Sequence, residues 1–397
     1  MRLDVPTIGK RAVGGLVVGG DYQGLGIIRS LGRRGIPTCV IDDEHSIGRF
    51  SRYATYSERV AGLRDGTAAV DAVLAAVERF GLDGWVLYPT RDEHVAAFAD
   101  ARERLSGVLR VPTPPWDVVR WAYDKRNTYE LAERIGVPTP RWAIVDGVDG
   151  LANVAGDPPW AVKPAIKDHF VYETKAKAWR ADSREELHQL VTRAGDLVGP
   201  SEVLVQELIA GTGESQQAYC AFFRDGEAVA SMVVERSRQH PPEFGRASTY
   251  VRTIESARLE EWSLRFLREI GYYGLVELEF KIDPRDGQPK LLDVNARTWG
   301  YHTLGACAGV DFPYLLYRDQ VGLPVARERA LPGRTWLRLV TDLPVGMIEI
   351  LGRQTRVSDY VRTLWSASTE AVFARDDPIP GLVEVALIPY LAFRRGF

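Results

Sequence analysis

The feature that most constrains the fold is an apolar segment that leads directly into a glycine turn. Ala12 to Val18 is followed by GGDYQGLG, then by a stretch with helical periodicity from Ile27 to Ile36, and PTCVID ends at Asp42. A strand, a glycine turn, a helix and a second strand form a βαβ unit with parallel strands. We therefore predict a Rossmann-like α/β domain over residues 1–110.

The rest of the chain is long enough for further domains. A length of 397 residues exceeds one ordinary core and suits two or three domains. Prolines at 112, 114 and 115 mark a linker, and the later strands are long, hairpin-joined and interspersed with helices, which is typical of an α+β fold. We predict an α+β region beyond the linker.

Composition excludes several classes of protein. The 50 basic and 53 acidic residues leave a net charge of -3, so the chain has no electrostatic footprint for nucleic acid. Cys39, Cys220 and Cys307 are scattered without metal-binding spacing, which favours core positions and a reducing, cytoplasmic compartment.

No signal peptide or membrane-spanning segment is predicted from the sequence. The tail GLVEVALIPYLAFRRGF is apolar with a basic end, so it could contact a membrane surface or dock on the body, and docking is the simpler expectation. The sequence leaves both a monomer and a homodimer open.

Two segments near residue 280 carry polar groups suited to catalysis. In GLVELEFKI, strand alternation places Glu277 and Glu279 on one face. In LLDVNARTWG, it places Asp293, Asn295 and Arg297 on one face. The turn PRDGQP joins the segments as a hairpin, so carboxylates of the two strands lie opposite one another and repel unless a cation separates them.

A magnesium ion would relieve that repulsion, because it binds carboxylate and amide oxygens together with phosphates. We predict a site for Mg²⁺ or Mn²⁺ at Glu279, Asp293 and Asn295, with Arg297 as a catalytic residue that grips a phosphoryl oxygen. A solvated hairpin with cross-strand salt bridges explains this segment alone equally well.

Upstream motifs decide between these two interpretations. They occur in the order AVKP, VQELIAGTGE, EFGRAS, ELEFK and DVNAR. With this order and spacing, residues 112–322 resemble the ATP-grasp superfamily, whose fold has two lobes behind a Rossmann-like domain. The resemblance implies lobes at 111–200 and 201–325, followed by a C-terminal extension at 326–397. The pattern is more similar to the carbamoyl-phosphate synthetase and D-aspartate ligase relatives than to biotin carboxylase, because no biotin or bicarbonate signature is present.

The resemblance implies roles for particular residues. Lys125 and Lys163 would hold the phosphates of ATP, although an ordinary surface lysine is the competing interpretation for such residues. The hinge that hydrogen-bonds adenine would be formed by four consecutive residues: Gln206, Glu207, Leu208 and Ile209. Glu214 lies where such enzymes place a carboxylate on the ribose hydroxyls, with a solvated turn residue as the alternative.

The sequence departs from the family in the segment that covers the phosphates. Family members use a loop rich in glycine and serine, whereas no glycine occurs here between Lys163 and Gly195. The segment AIKDHFVYETKAKAW instead carries lysines, which either replace backbone contacts to phosphate or form an ordinary helix face. The cation-rich ERSRQHPPEFGRAS provides Arg246 as the preferred catalytic residue for a carboxylate and its acyl phosphate.

The sequence therefore predicts an ATP-dependent carboxylate-amine ligase that joins a small-molecule carboxylate to an amine through an acyl phosphate and releases ADP and phosphate. One alternative is an NAD(P)-dependent oxidoreductase, since Gly24, Gly26 and the downstream Asp42 form part of a dinucleotide fingerprint. A second alternative is a catalytically silent ATP-binding protein.

Overall fold

The structure is a computed structural model, and it describes residues 5–8, 11–166, 168–211, 213–240, 245 and 247–395. The N-terminal part begins with the short pair β1 (Thr7–Ile8) and β2 (Arg11–Ala12). Its main strands are β3 (Gly15–Val18), β4 (Thr38–Asp42), β5 (Tyr56–Arg59) and β6 (Val86–Pro89). Its helices are α1 (Tyr22–Gly32), α2 (Gly66–Phe80), α3 (Asp92–Asp100) and α4 (Arg102–Ser106).

The four main strands form a parallel sheet in the order β5-β4-β3-β6. Its core contains Leu16, Val18 and Ile41, all fully buried. The predicted βαβ unit is confirmed for β3, α1 and β4, whereas the Rossmann-like designation and the domain boundaries stay predictions.

A helical pair follows the proline linker. The sequence pattern predicts one helix from Asp117 to Ile135, but the structure has two, α5 (Trp116–Tyr123) and α6 (Lys125–Arg134). The break lies at Asp124, whose extended backbone ends α5 and whose side chain accepts a hydrogen bond from Arg126 N at 2.9 Å. A second helix, α6, therefore begins at Lys125, which is a predicted phosphate-binding residue.

A small antiparallel sheet forms the next lobe. Its strands are β7 (Trp142–Ile144), β8 (Trp160–Pro164), β9 (Trp179–Ala181) and β10 (Val203–Glu207), ordered β7-β10-β8-β9. The helices of this lobe are α7 (Asp168–Thr174) and α8 (Arg184–Val198). Ser183 caps α8 through a hydrogen bond from Glu186 N at 3.1 Å, as the capping-box pattern predicts.

The largest sheet has eight strands. They are β11 (Gln216–Arg224), β12 (Glu227–His240), β13 (Ala247–Ile254), β14 (Gly274–Ile282), β15 (Pro289–Asn295), β16 (Glu328–Arg329), β17 (Thr335–Leu337) and β18 (Thr369–Glu370). The order is β15-β14-β11-β12-β13-β17-β18, with β16 paired to β12. The C-terminal extension thus adds strands to the sheet that carries the predicted metal hairpin.

Six further helices follow the small lobe in the described part of the chain. They are α9 (Ala257–Glu269), α10 (Thr303–Cys307), α11 (Phe312–Gln320), α12 (Leu339–Leu351), α13 (Val357–Ser366) and α14 (Ile379–Arg395). Within the described ranges, no helix has both the length and the apolar character needed to cross a bilayer. The mixed α/β and α+β character predicted from the sequence is confirmed.

Candidate active site

The β14–β15 hairpin presents the predicted acidic face. Glu277 lies opposite Asn295 and Glu279 opposite Asp293 in the antiparallel register. The intervening Leu278 is fully buried in the core on the other side of the sheet. Asn295 Nδ2 donates to Glu277 Oε2 at 3.0 Å and to Glu279 Oε1 at 2.9 Å, so the amide ties the two carboxylates together.

Arg236 on β12 provides a cation for these carboxylates. Its Nη1 donates to Glu279 Oε2 at 2.8 Å, and its Nη2 lies 3.0 Å from Glu279 Oε1 and 3.4 Å from Glu277 Oε1. Burial raises the pKa of Glu277, and the neighbouring charge of Glu279 raises it further. The guanidinium of Arg236 therefore relieves the like-charge repulsion in this structure, and the magnesium site stays a prediction.

The two predicted phosphate-side lysines approach the hairpin from different elements. Lys125, in the first turn of α6, donates to Asp293 Oδ1 at 2.6 Å. Lys163, on β8, donates to the Tyr129 hydroxyl at 2.9 Å, and that hydroxyl lies 2.9 Å from Gln206 Oε1. Burial, followed by repulsion from Lys125, lowers the pKa of Lys163 to about 7. Both ammonium groups are thus held near the hairpin by partners within the protein.

A cavity of about 130 Å³ lies between the small lobe and the hairpin. Of the predicted nucleotide residues, the cavity is lined by Lys125, Lys163, Gln206, Leu208 and Ile209, and of the predicted metal residues by Glu279 and Asp293. The structure therefore brings together most of the residues that the family resemblance selects.

Two of the predicted nucleotide-binding residues, Glu207 and Glu214, are not among the residues that line this cavity. The Glu207 side chain lies outside the lining of this cavity, where it accepts hydrogen bonds from Arg141 Nε at 3.0 Å and Arg285 Nη1 at 2.9 Å. Glu214 is an exposed residue of a short 3-10 turn and is not part of the lining described for this cavity. Its ribose role stays a prediction, and a role of Glu207 would rest on its backbone.

A second cavity of about 280 Å³ adjoins the first and shares Lys177, Arg236 and Glu279 with it. Arg297 and Asn295 line it. Arg297 is fixed by a bidentate ion pair, with Nε at 2.8 Å from Asp92 Oδ1 and Nη2 at 3.0 Å from Oδ2. Burial opposes the charge of Arg297, but Asp92 outweighs it and raises the pKa of the guanidinium.

Part of the second cavity belongs to the N-terminal part of the chain, from which the sequence analysis named no residue of the ligase site. Arg91, Asp92 and Glu93 line it where α3 begins after β6. These three residues could have been predicted from their position just after β6, because ligand sites in parallel α/β sheets lie beyond the carboxyl ends of the strands.

An aromatic group forms another part of the second cavity. Tyr22 from α1, Tyr301 after β15 and Trp336 from β17 line it, and all three are buried. The Trp336 ring lies 6.2 Å from the Tyr22 ring and 6.3 Å from the Tyr301 ring. The C-terminal extension therefore contributes a wall of this cavity, which no motif indicated.

The glycine-free segment after Lys163 forms helix α7 and the turn that follows. Lys177 lines both cavities, and Tyr172 lines the second. The Tyr172 hydroxyl donates to the Glu93 carboxylate, and the Arg64 guanidinium stacks on its ring at 4.0 Å. Helix α7 thus contacts the N-terminal part across the mouth of the site. Lys167 lies outside the described residues.

The cation-rich segment, predicted as a loop, instead begins on strand β12, and its arginines have different partners. Arg236 faces the hairpin, but Arg238 pairs with Asp342 of α12 through contacts of 2.9 Å and does not face the hairpin. Arg246, the predicted catalytic residue, lies outside the described residues, so its role stays a prediction. The neighbouring Ser248 lines the second cavity, and its buried Oγ has no hydrogen-bond partner in the described part of the chain.

The polar and glycine residues around the N-terminal glycine turn contact other groups of the protein. Asp42, the predicted ribose ligand of the oxidoreductase alternative, is buried and accepts hydrogen bonds from Gly20 N at 2.5 Å and Arg91 Nη2 at 2.6 Å. A Cβ at Gly24 would collide with the carbonyl oxygen of Gly19, and one at Gly26 would meet the His302 ring. These glycines allow close packing around the turn.

The oxygen donors of the hairpin fit a magnesium ion. Glu279 and Asp293 supply carboxylates and Asn295 an amide oxygen, which is the hard-oxygen set that Mg²⁺ prefers when phosphate oxygens and water complete its shell. Throughout the described residues, no group of three or more His, Cys, Asp or Glu side chains is arranged as a metal site. A magnesium ion at the hairpin would need phosphate oxygens or water to complete its shell.

Comparison with known proteins supports a relationship to ligases. No protein-family model matches the chain. The sequence is similar to a D-aspartate ligase of Enterococcus faecium (strain Aus0004), with 23% identity over 297 residues that cover 71% of this chain and 70% of the relative.

Many solved structures share the fold, including the following two. An L-amino acid ligase from Bacillus licheniformis is 18% identical with a TM-score of 0.60, covering 79% of this chain and 75% of the ligase. The biotin carboxylase domain of the Hydrogenobacter thermophilus 2-oxoglutarate carboxylase is 18% identical with a TM-score of 0.64, covering 81% and 73%. The predicted resemblance to carboxylate-amine ligases is confirmed, because the chain is similar in sequence to a D-aspartate ligase and shares its fold with an L-amino acid ligase.

Proposed function

We propose that this protein uses ATP to phosphorylate a small-molecule carboxylate and then transfers the acyl group to an amine, with release of ADP and phosphate. The observation that carries the proposal is the junction of the two cavities at Lys177, Arg236 and Glu279. A triphosphate in the first cavity would direct its terminal phosphoryl group to this junction, where an acid in the second cavity would receive it.

The first cavity suits the nucleotide. Lys125 and Lys163 would hold the phosphates, and the strand end at Gln206 to Ile209 would contact the adenine. The Hydrogenobacter carboxylase domain was solved in complex with MgADP, which supports the same ligand for this fold. Magnesium, when bound at Glu279, Asp293 and Asn295, would neutralise phosphate charge and polarise the terminal phosphoryl group.

The second cavity suits the acid and the amine. Arg297, held in place by Asp92, presents a fixed guanidinium that would orient the carboxylate and its acyl phosphate. The carboxylate oxygen attacks the γ-phosphorus and ADP leaves; the amine nitrogen then attacks the acyl carbon and phosphate leaves. The proton that the amine loses has acceptors in the same cavity, including Glu93.

Product analysis tests this proposal. The purified protein is incubated with Mg–ATP and a panel of amino acids and small carboxylic acids, alone and in pairs, and the nucleotide products and product masses are measured. We expect ADP and phosphate, and with hydroxylamine in place of the amine we expect the hydroxamate of the correct acid. Formation of AMP and pyrophosphate with the correct acid would show that the phosphoryl-transfer roles are wrong.

A further inference from the structure

The C-terminal helices expose apolar side chains at helical spacing. On α12, Leu343, Met347 and Leu351 recur every four residues and are exposed, with Leu351 80% exposed. On α13, Val357, Val361 and Trp365 recur in the same way, and Trp365 is 86% exposed. Together with Ile348, these residues are called the C-terminal apolar face.

The orientation of α12 and α13 is fixed by buried polar contacts on their opposite sides. Arg238 of β12 pairs with Asp342 of α12 at 2.9 Å and reaches Thr363 Oγ1 of α13 at 3.3 Å. The Tyr360 hydroxyl of α13 donates to Asp342 Oδ2 at 3.1 Å. Because these residues hold the inner sides of both helices, the apolar face is built to point outward.

Helix α14 repeats the pattern. Ile379, Leu382, Val385 and Ile388 are exposed at spacings of three residues. On the inner side, the buried Glu384 accepts a hydrogen bond from Arg338 Nη2 at 2.8 Å. Soluble monomers rarely expose so many large apolar side chains in consecutive elements without a binding role.

The exposed charges beside the apolar face are basic. The charged residues between Leu343 and Trp365 are Glu349, Arg353, Arg356, Asp359 and Arg362; the three arginines are exposed, whereas the two carboxylates are half-buried. Asp359 pairs with Arg362 at 3.2 Å, whereas Arg353 and Arg356, between α12 and α13, have no ion-pair partner among the described residues. The protein as a whole has a net charge of -3, so this concentration of unpaired positive charge is local.

We propose that the C-terminal apolar face is a membrane-docking surface for bilayers with anionic headgroups. Helices with an exposed apolar stripe, an aromatic residue and flanking arginines bind at the boundary between headgroups and acyl chains, and each basic residue near an anionic surface adds to the affinity. Trp365 and Leu351 would enter that boundary while Arg353 and Arg356 contact the headgroups. This inference does not depend on the ligase reaction.

A second copy of the chain fits this surface less well. Two-fold association places the same patch on both partners, so the arginines of the two copies would be brought together. An anionic bilayer offers the opposite charge over the whole face. Charge complementarity therefore favours the lipid surface.

Vesicle sedimentation tests the proposal. The full chain is spun with vesicles of phosphatidylcholine alone, or of equal parts phosphatidylcholine and phosphatidylglycerol, at low and high salt. We expect binding to the anionic vesicles, weakened by salt because the headgroup attraction is screened. Absence of the protein from the anionic vesicle pellet at low salt would overturn the proposal.

Matched variants locate the contact. The double variant Leu351→Glu with Trp365→Glu is expected to reduce partitioning at least tenfold. Arg353→Glu with Arg356→Glu should reduce it by more than roughly 25-fold, since each basic residue contributes on the order of fivefold. The control Leu197→Glu with Leu331→Glu changes two exposed apolar residues outside the C-terminal helices and should bind like the wild type.

Two further measurements keep the outcome decisive. Circular dichroism melting of each variant should match the wild type, because the altered side chains are largely exposed. Light scattering would show whether the wild type is a dimer that Leu351→Glu with Trp365→Glu dissociates. Such a dimer, without vesicle binding, would assign the face to a second copy and overturn the membrane proposal.

Discussion

The glycine turn after β3 and the cleft beneath the β14–β15 hairpin both carry polar residues suited to a nucleotide, but they use them differently. At the turn, Asp42 is buried and bonded to Gly20 N and Arg91. In the cleft, Lys163 and Asp293 also have protein partners, yet both line a cavity. Polar residues with a similar sequence pattern can therefore serve either packing or ligand binding. The difference is whether their side chains line a cavity in the folded chain.

The N-terminal part also contacts residues that line the cleft. The N-terminal part supplies Asp92, which fixes Arg297, and Glu93, which accepts a hydrogen bond from Tyr172 of the small lobe. Its own glycine turn is used for packing. The N-terminal part thus contributes to the second cavity.

The largest expected effect tests the cleft. Glu279→Gln keeps the size of the side chain but removes a charge facing both cavities. We expect the rate of ADP formation with the identified acid to fall roughly a thousandfold, which corresponds to about 4 kcal/mol of transition-state stabilisation. Glu260→Gln, which alters a surface ion pair with Arg329 on the same sheet, is the control and should retain activity. Wild-type turnover in Glu279→Gln would remove the hairpin from the mechanism.

The next prediction tests the turn. Asp42→Ala leaves Arg91 and two backbone N–H groups, those of Gly20 and Glu44, without their buried acceptor. We expect the free energy of unfolding in urea to fall by about 3 kcal/mol, with no change in ATP affinity. Neither the variant nor the wild type should bind NAD or NADP in calorimetry. Micromolar affinity of the wild type for either cofactor would restore the oxidoreductase alternative.

The third prediction concerns pH. With the pKa of Lys163 lowered to about 7, mainly by burial, the ammonium form is lost from the free protein as the pH rises through that value. Binding of a triphosphate favours the ammonium form, so ATP affinity should fall above pH 7, by at most about tenfold per pH unit. Calorimetry at about pH 8 in buffers of different ionisation enthalpy should show uptake of up to about one proton. Lys163→Met should abolish that uptake, and unchanged uptake in this variant would contradict the assignment.

The smallest expected effect concerns the contact between the two regions. Tyr172→Phe removes the hydrogen bond to Glu93 but keeps the ring that stacks on Arg64. Loss of one partly exposed hydrogen bond of about 1 kcal/mol should raise the KM for the acid by up to about fivefold and leave ATP affinity unchanged. Tyr53→Phe, which removes a similar bond to Asp376 elsewhere, should change neither value. An equal change in KM in the Tyr172→Phe and Tyr53→Phe variants would mean that the hydrogen bond from Tyr172 to Glu93 has no specific role in binding the acid.

Much of the candidate site followed from local patterns. The alternation of GLVELEFKI and DVNAR assigned Glu279 and Asp293 to one face, and the register confirms that they lie opposite each other. The family resemblance selected Lys125 and Lys163, which the structure places at one cavity. The break at Asp124 was missed, because helical periodicity continues across it while a single side chain caps the second helix.

The sequence by itself determined the βαβ unit, the acidic hairpin and the order of the nucleotide motifs, because strand alternation and turn chemistry act over a few residues. Only the tertiary structure decided that Arg236 neutralises the hairpin, that Asp92 fixes Arg297 across 205 residues and that Trp336 walls the second cavity. These contacts depend on how separate sheets and helices pack together. The periodicity of a short segment does not specify that packing, since burial and charge pairing over the whole chain determine it.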